Sequence, residues 1–427
     1  MKIISYLRND YKNIIILNYL SLFYLFSLMV SYRISGAILY VIAIVFFFNE
    51  NIKNHIMDSL NNKFVQACIL YFLIYVIWLF GTEEISYGLA QVKINKVFLY
   101  SILFVAIIRK EFIEKFMYVF FAGLLINVIW SYLMFFDIVG SPFALSGYYL
   151  PLLEKTDHGF FILVGMAYLL FRLLRFNDKI SYKIFFILFI CLESFNIFIT
   201  NNKTIMFLYL VMVAITLLYI YRNNFIKIII GLFVFTGLFL IILNVFLPNV
   251  KNNLLKEVNG IQQSLTTDNY FSSMGQRIGI AKYSLDVFYD NILFGVGTGD
   301  HAKEVIKKLN ESNLKVSSPM SYKKMIYNLN TGKASSLHNT YLQILVQFGI
   351  LGLFVFLNIF YRLFKLIDNS INVYSYLLLV VLLIVLLQIF TGWDFQFGNL
   401  GNFFIIFVAM LSTQIQSDKQ YRVSSFK

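Results

Sequence analysis

The chain has 427 residues, of which 59% are hydrophobic and only 13% charged. So little charge excludes a soluble globular enzyme of this length and points to an all-α, polytopic integral membrane protein embedded among membrane lipids. The formal net charge of +13 could suit a nucleic-acid partner, but the Lys and Arg residues cluster in segments between apolar runs, as in a membrane protein oriented by charge, so no nucleic acid is expected.

In chain order, apolar runs long enough or nearly long enough to cross a hydrocarbon core of about 30 Å fall at 14–30, 34–48, 64–80, 97–108, 116–136, 160–174, 184–199, 204–220 and 226–246. Three more follow at 341–361, 373–391 and 399–412, giving about 12 transmembrane helices. The second, fourth, sixth and last fall short of the usual ~20 residues, so one of them is open to a re-entrant reading. Three regions result: nine spans over 1–247, one large polar loop over 248–337, and three spans with a C-terminal tail over 338–427.

With the N-terminus inside, the inside segments hold nineteen Lys and Arg residues, while the short outside loops hold five: Arg33, Lys93, Lys96, Lys155 and Lys203. This asymmetry predicts cytoplasmic termini and an external long loop, whose own eleven basic residues do not count because long loops translocate regardless of charge. Ser31, Tyr32 and Arg33 follow the first apolar run where a cleavage site would need small residues, so that run is expected to stay as a span. Cys68 and Cys191 lie in separate spans with neither zinc nor disulfide spacing and read as packing residues.

Inside the loop, a helix is expected over 251–263 and a polar break over 266–273. A second helix over 277–288 carries Ile278, Ala281, Leu285 and Phe288 at helical spacing and ends at Asp290-Asn291. Gly295, Gly297 and Gly299 form a turn, and 302–315 allows a short basic helix.

Amides of the Gly295-Val-Gly-Thr-Gly turn could cradle an anion, but the turn lacks a Gly-Lys-Ser/Thr ending and follows a helix, so it reads as structural. His158, at the outer mouth of the sixth span, either pairs with neighbouring Asp157, meets a phosphate, or merely caps a helix at the interface. Lys203, at the junction of the seventh and eighth spans, either contacts an anionic substrate or snorkels to the membrane surface. The loop supplies His301 and Arg277; a guanidinium at the head of an amphipathic helix either forks onto phosphate oxygens or is a solvated surface group. His338, at the start of the tenth span, can accept a proton from a hydroxyl or serve in capping and packing. All of these fall on the side assigned as external, which favours one external site.

The run Arg277-Ile-Gly-Ile-Ala-Lys-Tyr-Ser-Leu-Asp-Val-Phe-Tyr-Asp-Asn-Ile-Leu-Phe-Gly-Val-Gly-Thr-Gly, followed by His338-Asn-Thr-Tyr-Leu-Gln-Ile-Leu-Val-Gln-Phe-Gly-Ile-Leu-Gly, resembles the signature of the O-antigen ligase and polymerase superfamily. The resemblance implies a glycosyltransferase of lipopolysaccharide biosynthesis in a Gram-negative inner membrane. It would move a preassembled glycan from undecaprenyl pyrophosphate to a hydroxyl of lipid A-core at the periplasmic face, with inversion and with neither metal nor ATP as cofactor. Arg277 would then bind the pyrophosphate, and His338, with Asn339 beside it, would engage the acceptor hydroxyl. Lys203 stands where such ligases generally carry an arginine, which keeps the charge and loses the fork, and His158 is a further candidate for phosphate or acceptor contact. A repeat-unit polymerase using the same donor fits the same blocks, as does a relative that builds capsule or glycosylates protein. A lipid-linked oligosaccharide flippase should instead bury charges along its spans and keep its external loops short. A membrane scaffold would not depend on His338.

Overall fold

The computed structural model describes residues 6–140, 152–241, 244–245, 248–267, 270, 272–311, 336–368, 371–392 and 399–425, and every regular element among them is helical. In chain order these include α1 (Asp10–Val30), α2 (Tyr32–Phe47), α3 (Ile52–Leu60), α4 (Lys63–Ile77), α5 (Ile85–Asn95), α6 (Tyr100–Ile107), α7 (Ile113–Phe135), α8 (Lys155–Arg175), α9 (Ile180–Ile199), α10 (Lys203–Ile220) and α11 (Phe225–Ile241). They continue with α12 (Pro248–Thr266), α13 (Ser273–Asp290), α14 (His301–Glu311), α15 (Thr340–Phe364), α16 (Val373–Thr391) and α17 (Asn399–Ser425).

Over its described residues, each of the twelve apolar runs lies mostly on helix, and nine helices among the described residues are long and apolar enough to cross a membrane. A tenth is possible where α2 and α3 bend by 115°, while Lys63–Ile77 and Phe225–Ile241 are apolar but shorter. The fourth run begins earlier than its apolar stretch suggests: α5, a 3-10 turn at Lys96–Leu99 and α6 make one element over Ile85–Ile107. That places Lys93 and Lys96 inside a helical span and not in an outside loop. Asn side chains cap α1, α4, α10, α15 and α16 from Asn9, Asn62, Asn202, Asn339 and Asn372, satisfying first-turn amides that otherwise lack partners.

A single apolar core runs through the bundle, with Leu17, Phe104, Phe120, Phe161 and Phe403 among its fully or almost fully buried side chains. One end is tied by Asp10, whose Oδ1 lies 2.7 Å from His55 Nε2 and accepts from Asn49 Nδ2 at 2.9 Å. The polar segment folds over other elements of the chain. A second, smaller core joins Ile280, Tyr283 and Val287 of α13 to Ala302 and Val305 of α14, Tyr87 of α5, Leu337 and Val346. The most buried face of α13 is 280, 283, 284 and 287; of the residues noted at helical spacing, Ile278, Ala281 and Leu285 are half-buried and Phe288 packs against this core. Both stripes are largely apolar, and contact with α5 and α14 decides which is buried more deeply. The helix expected over 251–263 extends to Pro248–Thr266, and the basic helix spans His301–Glu311, with 312–315 outside the described residues.

The glycine turn is a structural joint. Helix α15 breaks at Gly349, with φ +62° and ψ −160°. An unbroken helix would bond Val346 O to Ile350 N and Gln347 O to Leu351 N. Here Val296 N and Gly297 N donate to Val346 O and Gln347 O, each at 2.9 Å, while Ile350 N donates to Ile292 O at 2.9 Å and Leu351 N to Leu293 O at 3.5 Å. The backbones approach so closely that a Cβ on Gly295 would lie 2.3 Å from Gln347 C, and one on Gly349 would lie 2.3 Å from Leu293 C. With Gly295 N bonded to Asn291 O and Thr298 N to Trp78 O, the amides of residues 295–298 are all occupied, in keeping with a structural turn.

The segment is also fastened to the α4–α5 connection. Thr298 Oγ1 donates to Tyr75 O at 2.9 Å, and Trp78 Nε1 to Phe294 O at 2.7 Å. Asp300 accepts from Glu83 N at 3.1 Å and Glu84 N at 3.0 Å.

Candidate functional site

The candidate site is assembled from helix starts. Lys155 is the first residue of α8, Lys203 the first of α10, and Arg277 lies in the second turn of α13. The helix dipole disfavours a cation at an N-terminus by roughly 0.3–1 kcal/mol, so two lysines placed there do not serve helix stability. Lys155 is close enough to Lys203 and Arg277 to feel both charges, which brings cations from three separate elements into one neighbourhood. Lys203 Nζ pairs with Glu257 Oε1 at 2.8 Å, and Glu257 Oε2 accepts from Met274 N, near the start of α13, at 3.3 Å. Arg277 is half-buried and, among the described residues, has neither a hydrogen-bonding nor an acidic partner.

The starts of α10 and α15 share a local construction. Asn201 has φ +47° and precedes the capping Asn202; His338 has φ +56° and precedes the capping Asn339. Left-handed backbone at a residue other than glycine costs roughly 1–2 kcal/mol, and such outliers cluster at functional sites. His338 N donates to Ser336 Oγ at 2.8 Å, and its ring is half-buried. Asn339 Oδ1 accepts from Leu342 N at 3.1 Å, and its amide nitrogen makes no hydrogen bond among the described residues. Helix α13 packs against α15, so Arg277 and the His338-Asn339 pair are carried by neighbouring helices.

His158 stands differently. It is fully buried one turn into α8, with Nε2 2.7 Å from Asn196 Oδ1 and Nδ1 without a hydrogen bond among the described residues. It does not pair with Asp157, whose carboxylate accepts from Asn399 N at 3.1 Å. Successive residues on a helix point about 100° apart, so the two side chains meet different neighbours. Asn202 Nδ2 reaches Thr156 Oγ1 at 3.4 Å and links the starts of α8 and α10.

Two members of the cluster were not legible as site residues. Lys155 reads in sequence as one more loop charge, and Glu257 sits in a polar helix with no motif around it. Glu193 also departs from a pattern of charges confined to span ends. It is fully buried within α9, near Gly165, with neither carboxylate oxygen hydrogen-bonded among the described residues. His301 is buried with its ring centroid 5.6 Å from that of Tyr87, in the smaller core and not among the cations of the cluster. No three His, Cys, Asp or Glu side chains gather to hold a metal among the described residues.

Residues 184–357 match the family model described as O-antigen ligase. That stretch is similar to the O-antigen ligase superfamily. No curated protein matches the chain. The matched stretch takes in Lys203, Glu257, Arg277, His338 and Asn339, together with both segments joined at the Gly349 break, and begins after Lys155 and His158. The family associates it with glycan transfer of the ligase or polymerase type.

Proposed function

We propose that the protein transfers a preassembled glycan from undecaprenyl pyrophosphate to a hydroxyl of lipid A-core at the periplasmic face of a Gram-negative inner membrane, with both termini in the cytoplasm. The observation that carries this reading is the gathering of Lys155, Lys203 and Arg277 beside the helix that presents His338. Like charges repel, so such a cluster is matched to an anion, and the donor's diphosphate is an anion of suitable valence.

The chemistry follows from the groups present. Breaking the bond between the anomeric carbon and the phosphate oxygen leaves the electron pair, and a growing negative charge, on the diphosphate. Arg277 offers a two-pronged donor to its oxygens, and Lys203 adds a point charge. His338 accepts the proton of the acceptor hydroxyl as its oxygen attacks the opposite face of the sugar, which inverts the anomeric centre. Undecaprenyl pyrophosphate departs, and His338 returns its proton to water. The amide nitrogen of Asn339 steadies the acceptor in this scheme, while His158, held by Asn196, supports α8 and so the position of Lys155. Neither a metal ion nor ATP takes part in this scheme.

A repeat-unit polymerase would use the same donor half-site with a second lipid-linked glycan as acceptor. Deletion of the gene in its native host, followed by electrophoresis of the lipopolysaccharide, separates the two. A ligase leaves bare core while long polymer accumulates on the lipid carrier; a polymerase leaves core bearing a single repeat. An unchanged ladder contradicts both.

A further inference from the structure

Glu257 contributes nothing to the transfer scheme above, yet it holds two donors that a phosphate oxygen would use. Its Oε1 takes Lys203 Nζ at 2.8 Å and its Oε2 takes Met274 N at 3.3 Å. Met274 N is one of the first-turn amides of α13 that lack a partner within the helix, and Ser272 Oγ already accepts from Gly275 N at 2.8 Å. The carboxylate thus bridges the cation of α10 to the start of the helix that carries Arg277. Helices α12 and α13 are locked together, since a Cβ on Gly260 would lie 2.4 Å from Ser272 Oγ and one on Gly275 would lie 2.5 Å from Ser264 Oγ. The Lys203–Glu257 pair therefore ties this two-helix unit to the membrane bundle. Both side chains remain partly exposed, at 36% and 24%, so the pair is open to exchange with an incoming anion.

We infer that Glu257 is a resident counter-ion which the donor's diphosphate displaces from Lys203, and which positions the Arg277 helix while the site is empty. The inference rests on the reading of Lys203 and Arg277 as the diphosphate site. Glu257 imitates one phosphate oxygen, holding Lys203 in place and keeping out weakly bound anions. A diphosphate that also reaches Arg277 outcompetes it.

The test uses the full-length protein in detergent with inorganic pyrophosphate as probe. Glu257→Gln keeps a single acceptor oxygen, enough for Met274 N or for Lys203 Nζ, and drops the charge. It should bind pyrophosphate several-fold to about tenfold more tightly than wild type, and lower KM for the lipid-linked donor in parallel, with kcat moving less. Equal or weaker binding by Glu257→Gln overturns the inference. Hydrogen exchange on the wild-type protein gives an independent reading: release of Glu257 from Lys203 should speed exchange over α12 when pyrophosphate binds, and unchanged or slower exchange counts against displacement even if the variant does not fold. Lys203→Ala and Arg277→Ala separate the two levels of the argument. If neither weakens pyrophosphate binding, the diphosphate site itself is misplaced; if both weaken it while Glu257→Gln gains nothing, only the role of Glu257 fails.

Discussion

Val296 and Val346 are joined by a 2.9 Å backbone hydrogen bond across fifty residues of sequence. The bond belongs to an exchange in which the break at Gly349 hands its unused amides and carbonyls to the segment ending in the glycine turn. The two blocks that resemble the superfamily signature are therefore two halves of one joint. Their glycines keep α13 and α15 in register, and with them Arg277 and His338.

Replacing either Gly295 or Gly349 by Ala should destabilise the protein. Each has a positive φ, which costs a residue with a side chain roughly 1–2 kcal/mol, and each new Cβ would meet backbone atoms at 2.3 Å, so the joint must open. Thermal unfolding of the purified variants should show a lower midpoint. Gly237→Ala in α11, where a Cβ meets nothing within 4 Å, should leave the midpoint unchanged or raise it.

Asp300→Ala removes the acceptor for two backbone amides, Glu83 N and Glu84 N. A loss of about 1–3 kcal/mol of stability is expected from leaving such groups unmet. Chemical denaturation should show it. Restored stability in Asp300→Asn, which retains one acceptor oxygen, would mark the loss as one of hydrogen bonding.

Arg277 and Lys203 should respond asymmetrically to conservative exchange. Arg277→Lys keeps the charge but loses the fork, and transfer should fall by about ten- to a hundredfold. Lys203→Arg keeps the charge and adds donors, so transfer should stay near the wild-type rate. Initial rates with a lipid-linked donor compare them directly, and near-wild-type rates in both would show that charge alone matters.

His158→Leu leaves Asn196 Oδ1 without its 2.7 Å partner in a fully buried setting. The expected outcome is a lower unfolding midpoint with the KM for donor little changed. A rise in KM of tenfold or more at an unchanged midpoint would instead mean that His158 touches substrate.

The all-helical membrane character was legible because a 3.6-residue period and long apolar runs report burial directly. The starts of α10 and α15 were legible as well, through apolar runs beginning at 204 and 341, one residue after each helix begins. Which residues of α13 bury most deeply was not, since two neighbouring stripes are both largely apolar and the packing of Tyr87, Ala302 and Val305 favours Ile280, Tyr283 and Val287. Lys155 and Glu257 were hidden for a different reason. Their meaning lies in proximity across α8, α10, α12 and α13, and a single sequence holds no record of which helix starts converge.

In the proposed scheme His338 works on the acceptor while Arg277 and Lys203 hold the donor's diphosphate. The most direct test reconstitutes purified protein with an undecaprenyl-pyrophosphate-linked glycan and lipid A-core, comparing wild type with His338→Ala for both transfer and pyrophosphate binding. The account predicts that His338→Ala binds pyrophosphate as wild type does while transfer falls by at least about a hundredfold, within the usual range for loss of a general base. Transfer by His338→Ala at the wild-type rate would contradict it.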